Sequence, residues 1–400
     1  MRILLALLAA PLLLAQAHYE GGLLVETVQI PSGRVYDFDG VHTLAFTPAK
    51  GRTRHLELPP ELDGRLGAGL HLAHHQGTTY ALGRFHAPLP ALPPGRRIDQ
   101  EVGKGQPLHL FVRRPGEAWR ETARLSWQDA QGLDTFLPLG NGSFLLGKRE
   151  LFWEGHTLGP FALFRVDAGG WLRLERLADL GLGGPLYRKG PDGTVRVAEA
   201  HAELDGGYRN WSAQRLPAGI LLLHRASGRW VLLDAWDGHT RKAGRLWAPG
   251  EAETACIAPR PDGRLLVAAF PGSRKAALRA WPEGDFHAHL KGGVYPSRPG
   301  DALLVRRCEA LDTLDYRARP ALRWLALDSD TGHAMELAPP KDFPPPMNRM
   351  EVFGFRMVVQ PDGRLRLREN LGLKRFMEIP ARRWRQALRL PFPLPEWMVR

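Results

Sequence analysis

The sequence predicts an all-β fold built from repeated hairpins, and three observations support this prediction. A Pro-Asp-Gly turn followed by an alternating strand occurs at Pro191–Val197, Pro261–Val267 and Pro361–Leu367. Pro presets φ at a turn position, Asp accepts bonds from the following backbone, and Gly adopts the left-handed conformation of a tight hairpin. With 44 Gly and 34 Pro among 400 residues, turns are frequent, and no long segment has a sustained helical rhythm of apolar residues.

The N-terminal residues have the three-part pattern of an export signal. Arg2 is followed by an uninterrupted apolar run that ends in the small-x-small sequence Ala15-Gln16-Ala17. A membrane-spanning helix needs ~20 apolar residues, and this run is shorter and contains Pro11, so a retained anchor is the weaker alternative. We predict a signal peptide over 1–17, cleavage before His18, and a secreted or periplasmic protein without a transmembrane segment after cleavage.

Relaxed copies of the turn fill the intervals between the strict copies. With the Asp or Asn as the marker, the turns recur at 141, 192, 262, 301 and 362, about 55 residues apart on average, which divides the mature chain into about seven units. Four strands per unit are typical of propeller blades. The strands predicted around the markers at 141 and 262 are 135–139, 144–147, 161–166, 171–177, 256–258, 265–270 and 277–281. A parallel β-helix and a pair of β-sandwiches are the structural alternatives.

The Pro-Asp-Gly hairpins resemble those of the β-propeller superfamily, in which this turn commonly links the innermost strand to the second. The resemblance covers about residues 35–380 and implies a fold without a specific functional family. It implies a single propeller over 18–380, with four-stranded antiparallel blades numbering about seven, within a range of six to eight. Residues 381–400 are expected to form a basic tail with a short helix.

The charge distribution limits the choice of partners. The chain has a net charge of +12, and the stretch from Arg364 to Arg400 has ten Lys or Arg against three Glu. An exported protein seldom meets nucleic acid, so we expect none, and acidic surfaces or glycans are the more natural partners. A merely soluble basic surface is the alternative. We expect a monomer with an unidentified ligand or protein partner.

Two cysteines, Cys256 and Cys308, fit an oxidising compartment, where an even number of cysteines often forms bridges. Their separation is close to one repeat, so a disulfide between adjacent units is one possibility, and two buried thiols are the other. Neither has a partner at the spacing of a metal site.

The long connections are predicted to form the binding face. If the marker turns join first and second strands, the connections from second to third strands lie at the opposite ends, where the long segments 148–159, 199–214, 271–275 and 306–320 fall. Their Arg and aromatic residues suit carboxylate-bearing or sugar-like ligands, although ordinary solvated loops are the alternative. The predicted ligand-binding residues are Arg149, Trp153, His201, Tyr208, Arg209, Trp211, Arg306, Arg307 and Tyr316.

Two histidine clusters are candidate metal ligands. His287 and His289 would share one face of a strand, and His71, His74 and His75 lie close together. Neither cluster has carboxylates or thiols arranged as a familiar closed site, so a surface or packing role is favoured for both. We therefore assign no metal, with His287 and His289 as the weaker alternative, and leave the cofactor unknown.

The sequence favours a binding protein without deciding whether it is an enzyme. It contains no Gly-x-Ser-x-Gly, no His-Glu-x-x-His and no glycine-rich phosphate loop. The leading hypothesis is a secreted or periplasmic β-propeller that binds a ligand or protein through its long loops and does not catalyse a reaction. The alternatives are a propeller hydrolase or lyase with a His-lined, metal-assisted site, and a structural component of an envelope assembly.

Overall fold

The structure is a computed structural model, and it describes most of the predicted hairpins. The described residues are 17–30, 41–63, 69–85, 105–130, 132–148, 161–178, 180, 187–189, 195–197, 211–224, 228–247, 252–271, 323–337, 355–369, 376–379 and 391–393. The predicted signal peptide up to residue 16 and the predicted helix at 381–390 lie outside them, so both stay predictions.

The described strands form seven antiparallel sheets, numbered here in chain order. Sheets 1 to 4 and most of sheet 5 belong to one compact unit, and most of sheet 6 and all of sheet 7 belong to a second. Sheet 1 has β1 (Ala17–Glu20), β2 (Leu23–Ile30), β3 (Val41–Thr47) and β4 (Arg54–His55); sheet 2 has β5 (His71–His75), β6 (Thr78–Gly83), β7 (Leu108–Arg113) and β8 (Arg120–Leu125); and sheet 3 has β9 (Leu133–Pro138), β10 (Ser143–Lys148), β11 (Phe161–Val166) and β12 (Leu172–Leu177).

The remaining sheets follow the same order along the chain. Sheet 4 has β13 (Tyr187–Lys189) and β14 (Val195–Val197); sheet 5 has β15 (Trp211–Leu216), β16 (Gly219–His224), β17 (Arg229–Leu233) and β18 (Thr240–Arg245); sheet 6 has β19 (Ala252–Pro259), β20 (Leu265–Pro271), β21 (Arg323–Leu327), β22 (Ala334–Leu337) and β26 (Pro391–Pro393); and sheet 7 has β23 (Phe355–Val359), β24 (Leu365–Glu369) and β25 (Phe376–Ile379). A short helix, α1 (Trp127–Ala130), lies between sheets 2 and 3. No helix among the described residues has the length and apolar character of a membrane span.

The architecture confirms the predicted fold class. Each four-stranded sheet is an antiparallel meander in which successive strands are neighbours, and the four strands predicted around residue 141 correspond to β9, β10, β11 and β12. Apolar clusters combine residues of different sheets in the first unit: Leu44 of sheet 1 with Ala81 of sheet 2, Leu110 of sheet 2 with Phe136 of sheet 3, and Leu137 of sheet 3 with Val231 of sheet 5. The fold is all-β, with four-stranded antiparallel blades in a propeller arrangement.

The marker turns at 141, 262 and 362 lie where the sequence places them, between the first and second strands of their sheets, whereas the turn at 192 lies outside the described residues. Gly142, Gly263 and Gly363 have φ values of 82°, 83° and 84°, the left-handed region that favours glycine. Asn141 Oδ1 accepts a bond of 2.9 Å from the Ser143 amide, which fixes the turn before β10. The tight turns therefore end the first strands, as the repeat predicts.

A second turn repeat, which the sequence analysis does not identify, joins the third and fourth strands. Asp234 and Asp328 each begin a six-residue turn with Gly at the fifth position and His at the sixth. In both turns the Gly amide donates to the Asp carbonyl, at 2.9 Å for Gly238 and 2.8 Å for Gly332. Asp-x-x-x-Gly-His is thus a marker of the outer hairpin in sheets 5 and 6.

Three predictions for individual segments need correction. The third strand of sheet 6 is β21, which pairs with β20, and the segment 277–281 that the sequence predicts for this place lies outside the described residues, as does the marker at 301. The loop predicted over 199–214 ends earlier, because β15 begins at Trp211. Part of the C-terminal tail is also a strand, since β26 pairs with β22.

Candidate functional site

The inner strands of the first unit bring polar residues together at the tight-turn ends. Glu20 is the last residue of β1, His75 is the last residue of β5, and Arg215 is the next-to-last residue of β15. Strand β1 contacts β15, and β5 contacts β9. We call His18, Glu20, His74, His75 and Arg215 the inner-strand cluster. These five side chains come from three different sheets.

Arg215 lies at the centre of this cluster. Only 6% of the residue is exposed. Its Nη1 donates to His75 Nδ1 at 3.0 Å, and its Nη2 donates to the carbonyl oxygen of Pro138 at the end of β9. Arg215 therefore connects the first strands of sheets 2, 3 and 5. Both of its hydrogen-bond acceptors are neutral.

Glu20 connects β1 to the tight turn of sheet 2. Its Oε1 accepts a bond of 2.7 Å from the Gly77 amide. The same oxygen lies 3.5 Å from His74 Nε2, and Oε2 lies 3.5 Å from His18 Nε2. His18 and Glu20 share one side of β1 because side chains alternate along a strand. The carboxylate is thus held by one backbone donor and two imidazoles.

Neighbouring polar groups hold the cluster in place. His74 Nδ1 lies 2.9 Å from Thr79 Oγ1 across the β5–β6 hairpin, and the His74 ring meets Phe46 edge-on at 5.0 Å. Gln214 Nε2 donates to the carbonyls of Ala17 and Arg215. The bond to Ala17, which ties β15 to β1, belongs to the chain before the predicted cleavage. These contacts orient the cluster from sheets 1, 2 and 5.

Burial keeps the imidazoles neutral. It lowers the pKa of His18 and His74, and burial together with the Arg215 charge lowers the pKa of His75 to about 4. Burial raises the pKa of Glu20, but its bonds with His18 and Gly77 and the nearby His74 outweigh this effect and lower it to about 2. At neutral pH the cluster therefore contains one anion and neutral imidazoles.

The Arg215 guanidinium supplies the positive charge of the cluster. Burial lowers the pKa of Arg215 to about 10, and the Glu20 carboxylate opposes this change. The group stays protonated at neutral pH because its pKa lies well above 7. The inner-strand cluster thus contains one cation and one anion, and these two groups are not bonded directly to each other.

Two buried polar atoms of this cluster have unused hydrogen-bonding capacity. His75 Nε2 and Arg215 Nε make no hydrogen bond to any described residue. Most buried polar groups in native proteins are paired, so such a concentration needs an explanation. The described residues contain no group of His, Cys, Asp and Glu arranged to hold a metal ion.

Most residues of the predicted loop site fall outside the described residues. These are Arg149, Trp153, His201, Tyr208, Arg209, Arg306, Arg307 and Tyr316, and also the candidate ligands His287 and His289. Trp211 is described: it lies in β15, is 3% exposed, and belongs to an apolar cluster with Ile220 and Leu180.

Cys256 is buried in β19, whereas Cys308 is not described, so the disulfide stays a prediction.

The inner-strand cluster lies at the tight-turn ends, opposite to the ends from which the long connections leave. A surface or packing role was predicted for His71, His74 and His75, and no role was predicted for Glu20 or Arg215. One sequence signal could have found them. Extending the turn repeat to Gly21-Gly22, Gln76-Gly77 and Pro217-Ala218 places a charged or imidazole residue within the two positions before each turn.

Comparisons with known proteins do not assign a family. No protein-family model and no curated protein matches the chain. Among solved structures, a protein of unknown function from Bacteroides thetaiotaomicron is 10% identical, with 90% of this chain and 66% of that chain covered and a TM-score of 0.37. A catalytically inactive virginiamycin B lyase from Staphylococcus aureus is 8% identical, with 92% and 85% covered and a TM-score of 0.34.

An enzyme acting on polysaccharide gives a similar result. The exo-beta-1,3-galactanase from Phanerochaete chrysosporium is 10% identical, with 92% of this chain and 67% of that chain covered and a TM-score of 0.34. At these identities and TM-scores, the similarities carry no argument about activity or about site residues. The function has to be argued from the inner-strand cluster itself.

Proposed function

We propose that the protein is an exported β-propeller that binds a small polar ligand at the inner-strand cluster and does not transform it. One observation carries the proposal: three sheets direct buried polar groups to one place, and His75 Nε2 and Arg215 Nε have no hydrogen-bond partner among the described residues. A bound molecule that supplied these partners would remove the cost of burying them, which is about 1–3 kcal/mol per group.

The ionisation of the cluster supports binding over acid–base catalysis. An efficient general acid or base has a pKa near the working pH. The pKa of Glu20 is lowered to about 2, that of His75 to about 4, and burial lowers the pKa of His18 and His74 as well. These groups are therefore suited to fixed hydrogen bonding and poorly suited to exchanging protons at neutral pH.

The long loops are the competing location for the same function. Arg209 and Arg307 represent this surface in a test, and Trp211 is left out because it is buried in β15. Two variants of the full chain separate the locations: Arg215→Met removes the centre of the cluster, and the double variant Arg209→Ala/Arg307→Ala removes two cations of the loops. Arg165→Met is the matched control, because Arg165 lies on the outer half of sheet 3.

The experiment screens a library of small polar compounds by the melting temperature of the full chain. We expect compounds that raise the melting temperature of the parent protein and of Arg165→Met but have no effect on Arg215→Met. If the loop variant alone loses the response, binding belongs to the loops and the cluster assignment is wrong. Chemical conversion of a bound compound by the purified protein would overturn the non-catalytic role.

Export is tested separately. The sequence predicts removal of residues 1–17, so the mature protein should begin at His18 and be found outside the cytoplasm. Mass spectrometry of the protein recovered from its native host measures this directly. An intact N-terminal segment on a cytoplasmic protein would contradict export without affecting the binding proposal.

A further inference from the structure

Arg215 differs from Arg165 and Arg323 in having no direct carboxylate partner among the described residues. Arg165 binds Glu175 through Nε and Nη2 at 3.3 and 3.2 Å, and Arg323 binds Glu336 through the same two atoms at 3.0 and 3.1 Å. Arg215 is more deeply buried than either, yet its described partners are His75 and a backbone carbonyl. Buried charges in proteins are normally paired.

The hydrogen positions around Arg215 follow from its chemistry. A guanidinium only donates, so His75 Nδ1 must be the acceptor of the bond from Arg215 Nη1. Because the pKa of His75 is lowered to about 4, its ring is neutral at pH 7 and has its proton on Nε2. His75 Nε2–H and Arg215 Nε–H are then both buried donors without a described acceptor.

The open edge of Arg215 defines what a ligand must supply. Arg215 uses two of its five N–H groups in the described bonds, so Nε–H and a further hydrogen on Nη2 are open. This is the edge through which Arg165 and Arg323 hold their carboxylates. The missing partner is therefore an acceptor with two oxygens in one plane, at the spacing of a guanidinium edge.

Glu20 limits the charge of this partner. Its oxygens are engaged by the Gly77 amide and the imidazoles of His18 and His74, so it serves β1 and the turn of sheet 2. It also places one negative charge near Arg215. A monoanion would give the guanidinium a direct counter-charge, whereas a dianion would add an excess of negative charge beside Glu20.

We propose that the group bound by Arg215 is the carboxylate of a small acid, held side-on by Nε–H and Nη2–H of Arg215. This inference deepens the proposed function and rests on it, since it names the ligand class of the same site. The carboxylate supplies the counter-ion that the buried cation lacks among the described residues, and it accepts the hydrogen bond that Arg215 Nε–H leaves open.

The test compares three anions on the full chain at pH 7.5 and matched ionic strength: potassium acetate, potassium phosphate and potassium chloride. Melting temperature is followed over a concentration series, and isothermal titration calorimetry measures the affinity for acetate. We expect acetate to stabilise the parent protein and Arg165→Met beyond the effect of chloride. We expect at least a tenfold loss of acetate affinity in Arg215→Met.

Arg215→Lys provides a second variant, because it keeps a positive charge but lacks the planar fork. Its acetate affinity should fall between those of the parent and Arg215→Met, and it tests the proposal if Arg215→Met does not fold. An acetate effect equal to that of chloride would overturn the inference, as would an acetate effect that survives both Arg215 substitutions. Stronger stabilisation by phosphate than by acetate would overturn the assignment of a monoanion.

The outcomes also distinguish a failure of the carboxylate proposal from a failure of the proposed binding function. Neutral compounds that bind in an Arg215-dependent way, with no response to acetate, would refute the carboxylate and leave the binding function intact. A library in which no compound depends on Arg215 would refute the proposed site, and the carboxylate would fall with it.

Discussion

Two arginines of the first unit show how differently the propeller treats a guanidinium on its outer and inner strands. Arg165 lies on β11 with its side chain half exposed, and it meets Glu175 of β12 through two parallel bonds. Arg215 lies on β15, is buried, and bonds only neutral acceptors among the described residues. The charge is the same, but the surroundings differ.

The difference teaches where to look for function. Water screens an exposed ion pair, so such a pair contributes about 0–1 kcal/mol and mainly affects solubility. A buried cation without a direct counter-charge is costly, and such arrangements tend to occur at functional sites. In the inner-strand cluster, the burial of Arg215 without a direct counter-charge costs stability, so we expect these side chains to serve a function.

The largest effect should come from removing Glu20. Glu20→Ala takes away the acceptor of the Gly77 amide and the negative charge near Arg215, so we expect the free energy of unfolding to fall by about 3 kcal/mol. Urea denaturation at pH 7 measures the change. Glu117→Ala is the control, because this glutamate is exposed in the β7–β8 turn of sheet 2, and it should shift stability by less than about 0.5 kcal/mol.

The variant Glu20→Gln separates the contribution of the Gly77 hydrogen bond from that of the negative charge. The amide oxygen can still accept from Gly77, so this variant should recover part of the loss and report the contribution of the charge. Equal effects of the Glu20→Ala and Glu117→Ala substitutions would show that the inner strands tolerate unpaired polar groups as the surface does, and the contrast between the two regions would disappear.

The next effect concerns pH. The pKa of His75 is lowered from 6.5 to about 4, so between these values the unfolded chain binds a proton that the folded chain does not. A lowered pKa in the folded state means that stability falls as pH falls. From pH 6.5 to about pH 5, His75 should account for a loss of about 2 kcal/mol.

His75→Gln should therefore flatten the decline in stability between pH 6.5 and about pH 5, as measured by urea denaturation at several pH values. The pKa of His224 is also lowered to about 4 by burial and nearby arginines, so part of the decline should remain. His239→Gln is the control, because this side chain is exposed in the β17–β18 turn. An unchanged decline in His75→Gln would mean that the buried imidazole is not held neutral.

Local chemistry made much of the fold predictable. Pro, Asp and Gly in fixed order report a turn whatever surrounds it, and the predicted turns at Gly142, Gly263 and Gly363 all have the expected left-handed conformation. The strands around residue 141 are also predicted correctly, because alternation and turn spacing are local signals. The prediction for the third strand of sheet 6 was wrong. Strand β20 pairs with β21, which follows after a long connection, and no local sequence pattern specifies such a pairing.

The inner-strand cluster was much harder to predict. Glu20, His75 and Arg215 are far apart in the sequence, and each is ordinary at its own position. They become a site only because their strands come together in the first unit, and strand pairing within a sheet does not determine how neighbouring sheets face each other. His74 and His75 attracted attention as a local cluster, but packing remained the better interpretation until Arg215 lay 3.0 Å away.

The smallest effect should come from the outer arginine. Arg165→Ala removes two exposed bonds to Glu175, whose Oε2 still accepts from Ser143 Oγ at 2.7 Å. We expect a loss of about 0.5 kcal/mol in urea denaturation at low salt, decreasing further at high salt because exposed pairs are screened. A loss above about 2 kcal/mol that persists in high salt would contradict the view that outer pairs affect mainly solubility. The contrast between Arg165 and Arg215 would then disappear. The proposal of a ligand at the inner-strand cluster would rest only on the donors of Arg215 and His75 that have no described acceptor.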